Sequence, residues 1–386
     1  MDSIMEIMFA LIQSEITRNP ISEDTYKKIS TDTLTSIYQI SKSHDITNIL
    51  AASLQRNCLL DEKSEIGKKY SKQMLISIYR YEKIKYELEI LCNVLNENKV
   101  AFMPLKGSVI RQFYPEPWLR TSCDIDILIR KQDVDFVCNI LETKLSYGQK
   151  EVCPHDISYF SSGGTHIELH YDLIENEQAN KANEVLTRVW DVATNVEYKY
   201  LMSAEMLYFY HIAHIAKHIQ EGGCGIRPII DLWIMTKELP YDTEILDSYL
   251  KDADLLVFSN NVFALLSFWF DNGVADDHIL AFSKFVVEGG VYGNLSNRVS
   301  VLQNKRGGKL KYLFSRIFVP YSRLIFYYPI LKKYKVLTPF YQVKRWFTII
   351  AKRKFKAKVK ELNINNSMTK EQQLNTKKLF VDLNLY

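Results

Sequence analysis

Asp124-Ile125-Asp126-Ile127-Leu128-Ile129-Arg130 is the stretch on which the fold turns. Acidic and apolar side chains alternate through its first residues, and Ile dominates. It reads as a strand with one apolar and one acidic face. Ile125, Ile127 and Ile129 point to a core, while Asp124 and Asp126 project together from the other face, about 6.6 Å apart along the strand. Carboxylates that close repel, and one resists ionising unless a cation sits between them. His166-Ile167-Glu168-Leu169-His170 follows the same logic, with Ile167 and Leu169 on one face and Glu168 on the other. His170 shares that face and is a candidate to orient an acceptor or a metal-bound water, or to make a structural hydrogen bond. Three carboxylates on neighbouring strands suit two Mg²⁺ ions about 3.5–4 Å apart, hard cations that take carboxylates together with substrate phosphates.

Working outward, Val100–Pro104 is short, apolar and bounded by Pro, and reads as a strand. Leu105-Lys106-Gly107-Ser108 is a turn opening a short helix over Gly107–Phe113. A helix start of this kind offers backbone N–H groups to a phosphate, and Lys106 and Arg120 are the basic residues placed to meet it. Residues 1–100 read as helices, including a long one from about Asp61 to Asn98 with apolar positions at threes and fours (Met74, Ile78, Tyr81, Ile84, Leu88, Leu91, Leu95). Asp133–Leu145 is helical again. Residues 150–172 give two alternating stretches separated by Ser161-Ser162-Gly163-Gly164, and helical spacing then runs from about 177 to 290. The expected class is α+β: a small mixed sheet with flanking helices, set between helical regions. The expected organisation is an N-terminal helical region (1–98), an α/β core (99–175), a helical domain on that core (176–300), a basic aromatic segment (301–360) and a C-terminal tail (361–386).

Composition narrows the function. The chain has 386 residues, 47% hydrophobic and 24% charged, with only 14 Gly and 10 Pro, which suits a sizeable core and long helices. It contains no G-x-x-x-x-G-K-[ST] phosphate loop and no G-x-G-x-x-G fingerprint. The six cysteines form no C-x-x-C pair, and dispersed thiols suggest a reducing cytoplasm. The opening Met-Asp-Ser-Ile-Met-Glu lacks the basic region of a signal peptide. Leu255–Phe270 is uncharged but too short to span a bilayer, and reads as a buried helix. His211, His214 and His218 share one helical face. No Cys or acid joins them at zinc-motif spacing, so the readings are a helix beside the active cleft or half-buried structural histidines.

Residues 305–360 hold 17 Lys and Arg, no Asp or Glu, and 13 interleaved aromatics. The net charge of +4 is therefore a cancellation, because the rest of the chain has 32 basic against 45 acidic residues. Such a segment suits RNA, an anionic membrane surface, or a solvated basic face over buried aromatics. Pro320, Pro329 and Pro339 cut it into short helices.

The acidic constellation resembles the polymerase-β-like nucleotidyltransferase superfamily, and within it a bacterial branch of uncharacterised nucleotidyltransferases. That branch shows a Leu-Lys-Gly turn, an Arg shortly before Asp-Ile-Asp, and a Glu-x-His strand, matched here by Leu105-Lys106-Gly107, Arg120, Asp124-Ile125-Asp126 and Glu168-Leu169-His170. The likeness extends to His214, His218, Arg227 and Asp231 as cleft-lining residues beside His170, and loosely to Pro320, Tyr328-Pro329 and Pro339. The resemblance implies that Asp124 and Asp126 hold two Mg²⁺ (or Mn²⁺) ions on an NTP. Glu168 would join one metal and help deprotonate the acceptor hydroxyl. Lys106, Gly107 and Ser108 would cradle the phosphates, with Arg120 close by. A nucleoside monophosphate would pass to a hydroxyl or phosphate on a small molecule, glycan, peptide or RNA. The rival readings are a catalytically idle binding module, and an RNA- or membrane-docking protein that works through residues 305–360. The expected place is the cytoplasm, at the inner membrane face if the basic segment docks there.

Overall fold

The computed structural model describes residues 3–153, 155–173, 181–291, 293–351 and 355–385. It divides into two compact units, one of Met1–Lys217 with Gly225–Ser283, the other of His218–Cys224 with Lys284–Tyr386. The first unit holds a sheet of seven strands: β1 (Phe102–Pro104), β2 (Asp124–Ile129), β3 (Gly148–Val152), β4 (Asp156–Phe160), β5 (His166–His170), β6 (Thr194–Val196) and β7 (Lys199–Leu201). Their order is β3-β4-β5-β2-β1-β7-β6. β2 runs parallel to β5 and antiparallel to β1, so the sheet is mixed and the fold is α+β.

Alternation places the strands. Ile125, Ile127 and Ile129 of β2 join Ile167 and Leu169 of β5 in one buried cluster. Leu91 and Leu95 of the helix Glu65–Glu97 and Val137, Ile140 and Leu141 of the helix Val134–Thr143 cover it. A one-residue slip of β2 would drive two carboxylates into this apolar layer, so the register is strongly specified. The long helix starts where Ser64 Oγ accepts the Gly67 N–H at 3.0 Å, and the chain leaves it with Lys99 at φ +58°.

The N-terminal helix Ser3–Thr17 packs on the helix Leu256–Phe270. Phe9 stacks on Trp269 at 4.6 Å, and Gln13 Nε2 donates to the Phe270 carbonyl at 2.8 Å. The uncharged run is thus a core helix. No helix among the described residues is long and apolar enough to cross a membrane. Regions expected as separate, 1–98 and much of 176–300, fall in the same compact unit.

Three local expectations are corrected. Residues 150–172 form parts of three strands, because a turn closed by the Cys153 N–H on the Asp156 carbonyl (2.8 Å) splits the first stretch. The expected helical run from 177 contains the hairpin β6–β7, which adds to the β1 edge of the sheet. Its strands are three residues each with half-buried or exposed side chains, and its turn uses Glu197 at φ +56° in place of Gly, so no apolar alternation or Gly signal marks it. The expected tail, 361–386, lies largely in two helices, Phe355–Ser367 and Lys370–Asp382. The second opens with a capping box between Thr369 and Gln372, and Leu379 and Phe380 are buried.

In the second unit, Val299, Tyr312 and Met368 form a small core with Ile364 packed against it. Of the basic segment, Lys352, Arg353 and Lys354 lie outside the described residues, as do the side chains of Phe326, Phe355, Lys356 and Lys358.

Ile127→Ala should cost about 2–5 kcal/mol in urea unfolding. Val196→Ala, on the exposed hairpin, should stay within about 0.5 kcal/mol.

Candidate active site

The parallel pairing of β2 with β5 sets Asp124 opposite His166, Asp126 opposite Glu168 and Leu128 opposite His170. Ile125, Ile127, Ile129, Ile167 and Leu169 point into the core, so the acids and both histidines share the other face. One ligand atom each from Asp126, Glu168 and His170 lies within 4.8 Å of the others, and the same holds for Asp124, His166 and Glu168. Asp126 is buried, whereas Asp124 and Glu168 are half-buried.

Asp126 carries two partners on one oxygen. Lys106 Nζ and His170 Nε2 both lie 2.9 Å from Oδ1, and His170 Nε2 is 3.4 Å from Glu168. Burial alone would raise the Asp126 carboxyl, but the Lys106 charge and the His170 hydrogen bond outweigh it and hold it well below the usual range. The Lys106 ammonium is raised despite its own burial, because Asp126 stabilises the charged form. Burial would likewise lower His170, but its bonds to Asp126 and Glu168 raise it. Burial first, then the charges of Asp126 and Glu168, push the Asp124 carboxyl up; the charges of Lys106 and Arg120 pull it down but do not prevail.

The turn before β2 is fixed by backbone geometry. The Leu105 N–H bonds the Asp126 carbonyl at 3.0 Å, and Lys106 sits at φ +43°. A non-glycine there stores about 1–3 kcal/mol of strain, and such strain concentrates at functional sites. The helix after the turn, Gly107–Ile110, has only four residues. Its Ser108 and Val109 N–H groups already bond the Leu105 and Lys106 carbonyls at 3.0 and 3.1 Å. The expected phosphate cradle of free N–H groups is therefore largely closed. Ser108 Oγ is buried with no hydrogen-bond partner.

Arg120, expected at the phosphates, is instead buried and bound to Asp231, with Nε at 3.1 Å from Oδ1 and Nη2 at 2.9 Å from Oδ2. Tyr114 also donates to Asp231, at 2.7 Å. Burial would raise Asp231, but the Arg120 charge leads the effects that hold it below the usual carboxylate range. Gly107 is explained by this pair. A Cβ there would stand 2.3 Å from Arg120 Nη1 and 3.3 Å from Ser122 Cβ. Beside it, Arg111 donates to the Gly107 carbonyl and to Ser122 Oγ, both at 2.6 Å.

The other expected cleft residues have these contacts. Arg227 binds Asp45 at 2.9 Å and the Thr121 carbonyl at 3.1 Å. His211 bonds the Pro228 carbonyl at 2.8 Å, His214 lies against the Tyr210 ring at 6.1 Å, and His218 lies 3.8 Å from Glu221. Sequence reasoning missed Tyr210, on the helix Ala204–Glu221. Its hydroxyl is buried without a hydrogen-bond partner, and burial pushes it up to about 12, with Lys106, Asp126 and Glu168 all within electrostatic reach. No local signal marks it, since a Tyr on an apolar helix reads as core. His166 was legible from the His-x-Glu-x-His alternation but was given no role. A polar cavity of about 200 Å³ lies elsewhere, lined by Lys42, Asp45, Asn48, Gln73, Ser77 and Arg80 among others, and none of the three carboxylates lines it.

A family model described as "Uncharacterised nucleotidyltransferase" matches residues 31–271. The chain belongs to this nucleotidyltransferase family. The match contains the Lys106 turn, both acidic strands and the Arg120–Asp231 pair. No curated protein and no solved structure matches the chain.

Asp231→Ala would strand the Arg120 charge in the interior and should cost about 3–5 kcal/mol in urea unfolding. Gly107→Ala should cost about 1–3 kcal/mol, because Arg120 is locked and cannot swing aside. The folded Asp231 carboxyl lies below its unfolded value, so its contribution is complete above about pH 4 and is lost as pH falls through the folded value. Asp231→Asn should flatten that acid limb in a stability profile against pH.

Proposed function

We propose that this chain transfers a nucleoside monophosphate from an NTP to a hydroxyl or phosphate acceptor, using Asp124, Asp126 and Glu168 as metal ligands. The observation that carries this is the in-register pairing of Asp126 with Glu168, with Asp124 two residues away, on one face of two parallel strands. The donor set fits a hard divalent cation such as Mg²⁺. It is rich in carboxylate oxygen, the Lys106 ammonium already stands on Asp126 as a cation, and Asp124 is costly to ionise beside two other acids.

Bound metal would supply charge neutralisation on the triphosphate, which is most of what in-line phosphoryl chemistry asks of a protein. The chain's own residues do the positioning. Lys106 is the cation of the turn nearest the carboxylates and would meet the phosphates. Glu168, partly open to solvent, would accept the acceptor's proton. His170 holds Asp126 by its Nε2–H. Arg120 acts through the turn, by packing against Gly107, and we assign it no phosphate. An idle binding module is disfavoured, since an interior acid cluster is costly to keep without a cation. We place the reaction in the cytoplasm, where dispersed thiols stay reduced.

Purified protein would be incubated with α-labelled ATP, CTP, GTP and UTP, Mg²⁺ and a cell extract. Label should enter one acceptor class, and Glu168→Gln should lower the rate by about 10²–10⁴-fold. The reading fails if no label transfers and Mg²⁺ with NTP leaves the melting temperature unchanged. Asp124→Asn should raise metal-free stability by less than about 1 kcal/mol by relieving repulsion. It should also abolish the Mg²⁺-dependent rise in melting temperature expected of the parent.

A further inference from the structure

The second unit turns an apolar, basic face outward. Its helix Lys309–Ile317 is anchored inward by Tyr312 and Arg316, which both bond Glu361 Oε1 at 2.5 Å. Leu310 and Phe314, four residues apart on that helix, and Phe318 just beyond it stay exposed, Phe314 by 61%. The helix Thr338–Ala351 is anchored by Gln342, bonded to the Val319 carbonyl at 2.5 Å, and by Trp346, bonded to the Ile317 carbonyl at 2.9 Å. Phe340, Val343 and Phe347, at i, i+3 and i+7, stay exposed on it, Phe340 by 63% and Phe347 by 68%. Phe318 packs edge-on against Trp346 at 5.7 Å and stacks with Phe314 at 6.5 Å, so the two outward faces join. An exposed patch of this kind marks an interaction site.

The charge around the patch has one sign. Residues 305–360 contain no acid. Arg316 is neutralised by Glu361, and Arg345 is turned inward onto the Arg316 and Ile317 carbonyls. The cations left exposed are chiefly lysines, among them Lys311, Lys332, Lys333, Lys335 and Lys344. Lysine is a point charge on a flexible stem, suited to a diffuse anionic surface; arginine is the better fork for single phosphates. Aliphatic members of the exposed set, such as Leu310 and Val336, the latter 84% exposed, gain nothing from stacking on bases but do gain from hydrocarbon. A second copy of the same face would bring like charges together.

We propose that this face docks on an anionic lipid bilayer, its short helices lying in the interface with the Phe side chains at the acyl boundary and the lysines on headgroup phosphates. The proposal does not depend on the nucleotidyl transfer reading.

Full-length protein would be floated with phosphatidylcholine vesicles, and with vesicles containing about 30% phosphatidylglycerol, at about 0.1 M salt. Binding should appear only with the anionic vesicles. Lys332→Gln with Lys333→Gln should weaken it about tenfold or more, and Phe340→Ser with Phe347→Ser should weaken it by a similar factor with the melting temperature unchanged. The proposal is overturned by equal binding to neutral vesicles, or by anionic binding that the Phe changes leave intact. Tighter binding to single-stranded RNA than to vesicles, lost in the same variants, would assign the face to nucleic acid. Concentration-dependent dimerisation without vesicle binding would assign it to a second copy.

Discussion

Asp126 and Glu168 face each other across two parallel strands, and the rest of the first unit's acidic face is arranged around that juxtaposition. Like charges directly opposite on a sheet repel. They are held there because the reverse faces carry Ile125, Ile127, Ile129, Ile167 and Leu169, all fully buried. Each such side chain is worth about 1.5–3 kcal/mol on burial, so the shared apolar face wins over the repulsion. Lys106 and His170 then compensate Asp126. At Asp124, burial and the charges of Asp126 and Glu168 outweigh the opposing charges of Lys106 and Arg120, and its carboxyl stays raised.

The second constraint is a buried charge of the opposite kind. Arg120 is enclosed and satisfied by Asp231, with Tyr114 filling a further bond to the same carboxylate. Pairs like this add little net stability over an apolar filling, but breaking one is costly. Here the pair also gives the Gly107 turn its wall. Arg111, between Gly107 and Ser122, feels the crowding: burial and the neighbouring Arg120 charge lower it to about 10. The turn is thus shaped from behind by guanidinium groups, while its own cation, Lys106, faces the acids.

Much of this was readable in advance, and the failures have physical causes. Alternation in β2 and β5, the long amphipathic helix and the uncharged core helix are local patterns, and the folded chain follows them. The hairpin at 194–201 was invisible because three-residue strands without an apolar face carry no periodic signal. The C-terminal helices were misread as a tail because a polar sequence with one buried edge gives a weak period. In the site, face-sharing of Asp124, Asp126, Glu168 and His170 follows from a period of two. Arg120 and Gly107 are expected at the phosphates from sequence position, as a basic residue and a glycine beside an acidic strand; that Arg120 pairs with Asp231 and packs against Gly107 carries no local signal.

The sequence by itself determined which side chains leave each strand on the acidic face, that the protein is α+β, and that its charge is split between an acidic body and a basic segment. Those properties depend on periodicity and composition, which are local. Only the tertiary structure decided that β5 lies beside β2 in the register that opposes Asp126 to Glu168, that Asp231 takes Arg120 from 111 residues away, and that Tyr210 comes within reach of the acids. Partner choice across such separations is set by packing and by the cost of leaving a buried charge alone, and neither is written in any short stretch of chain.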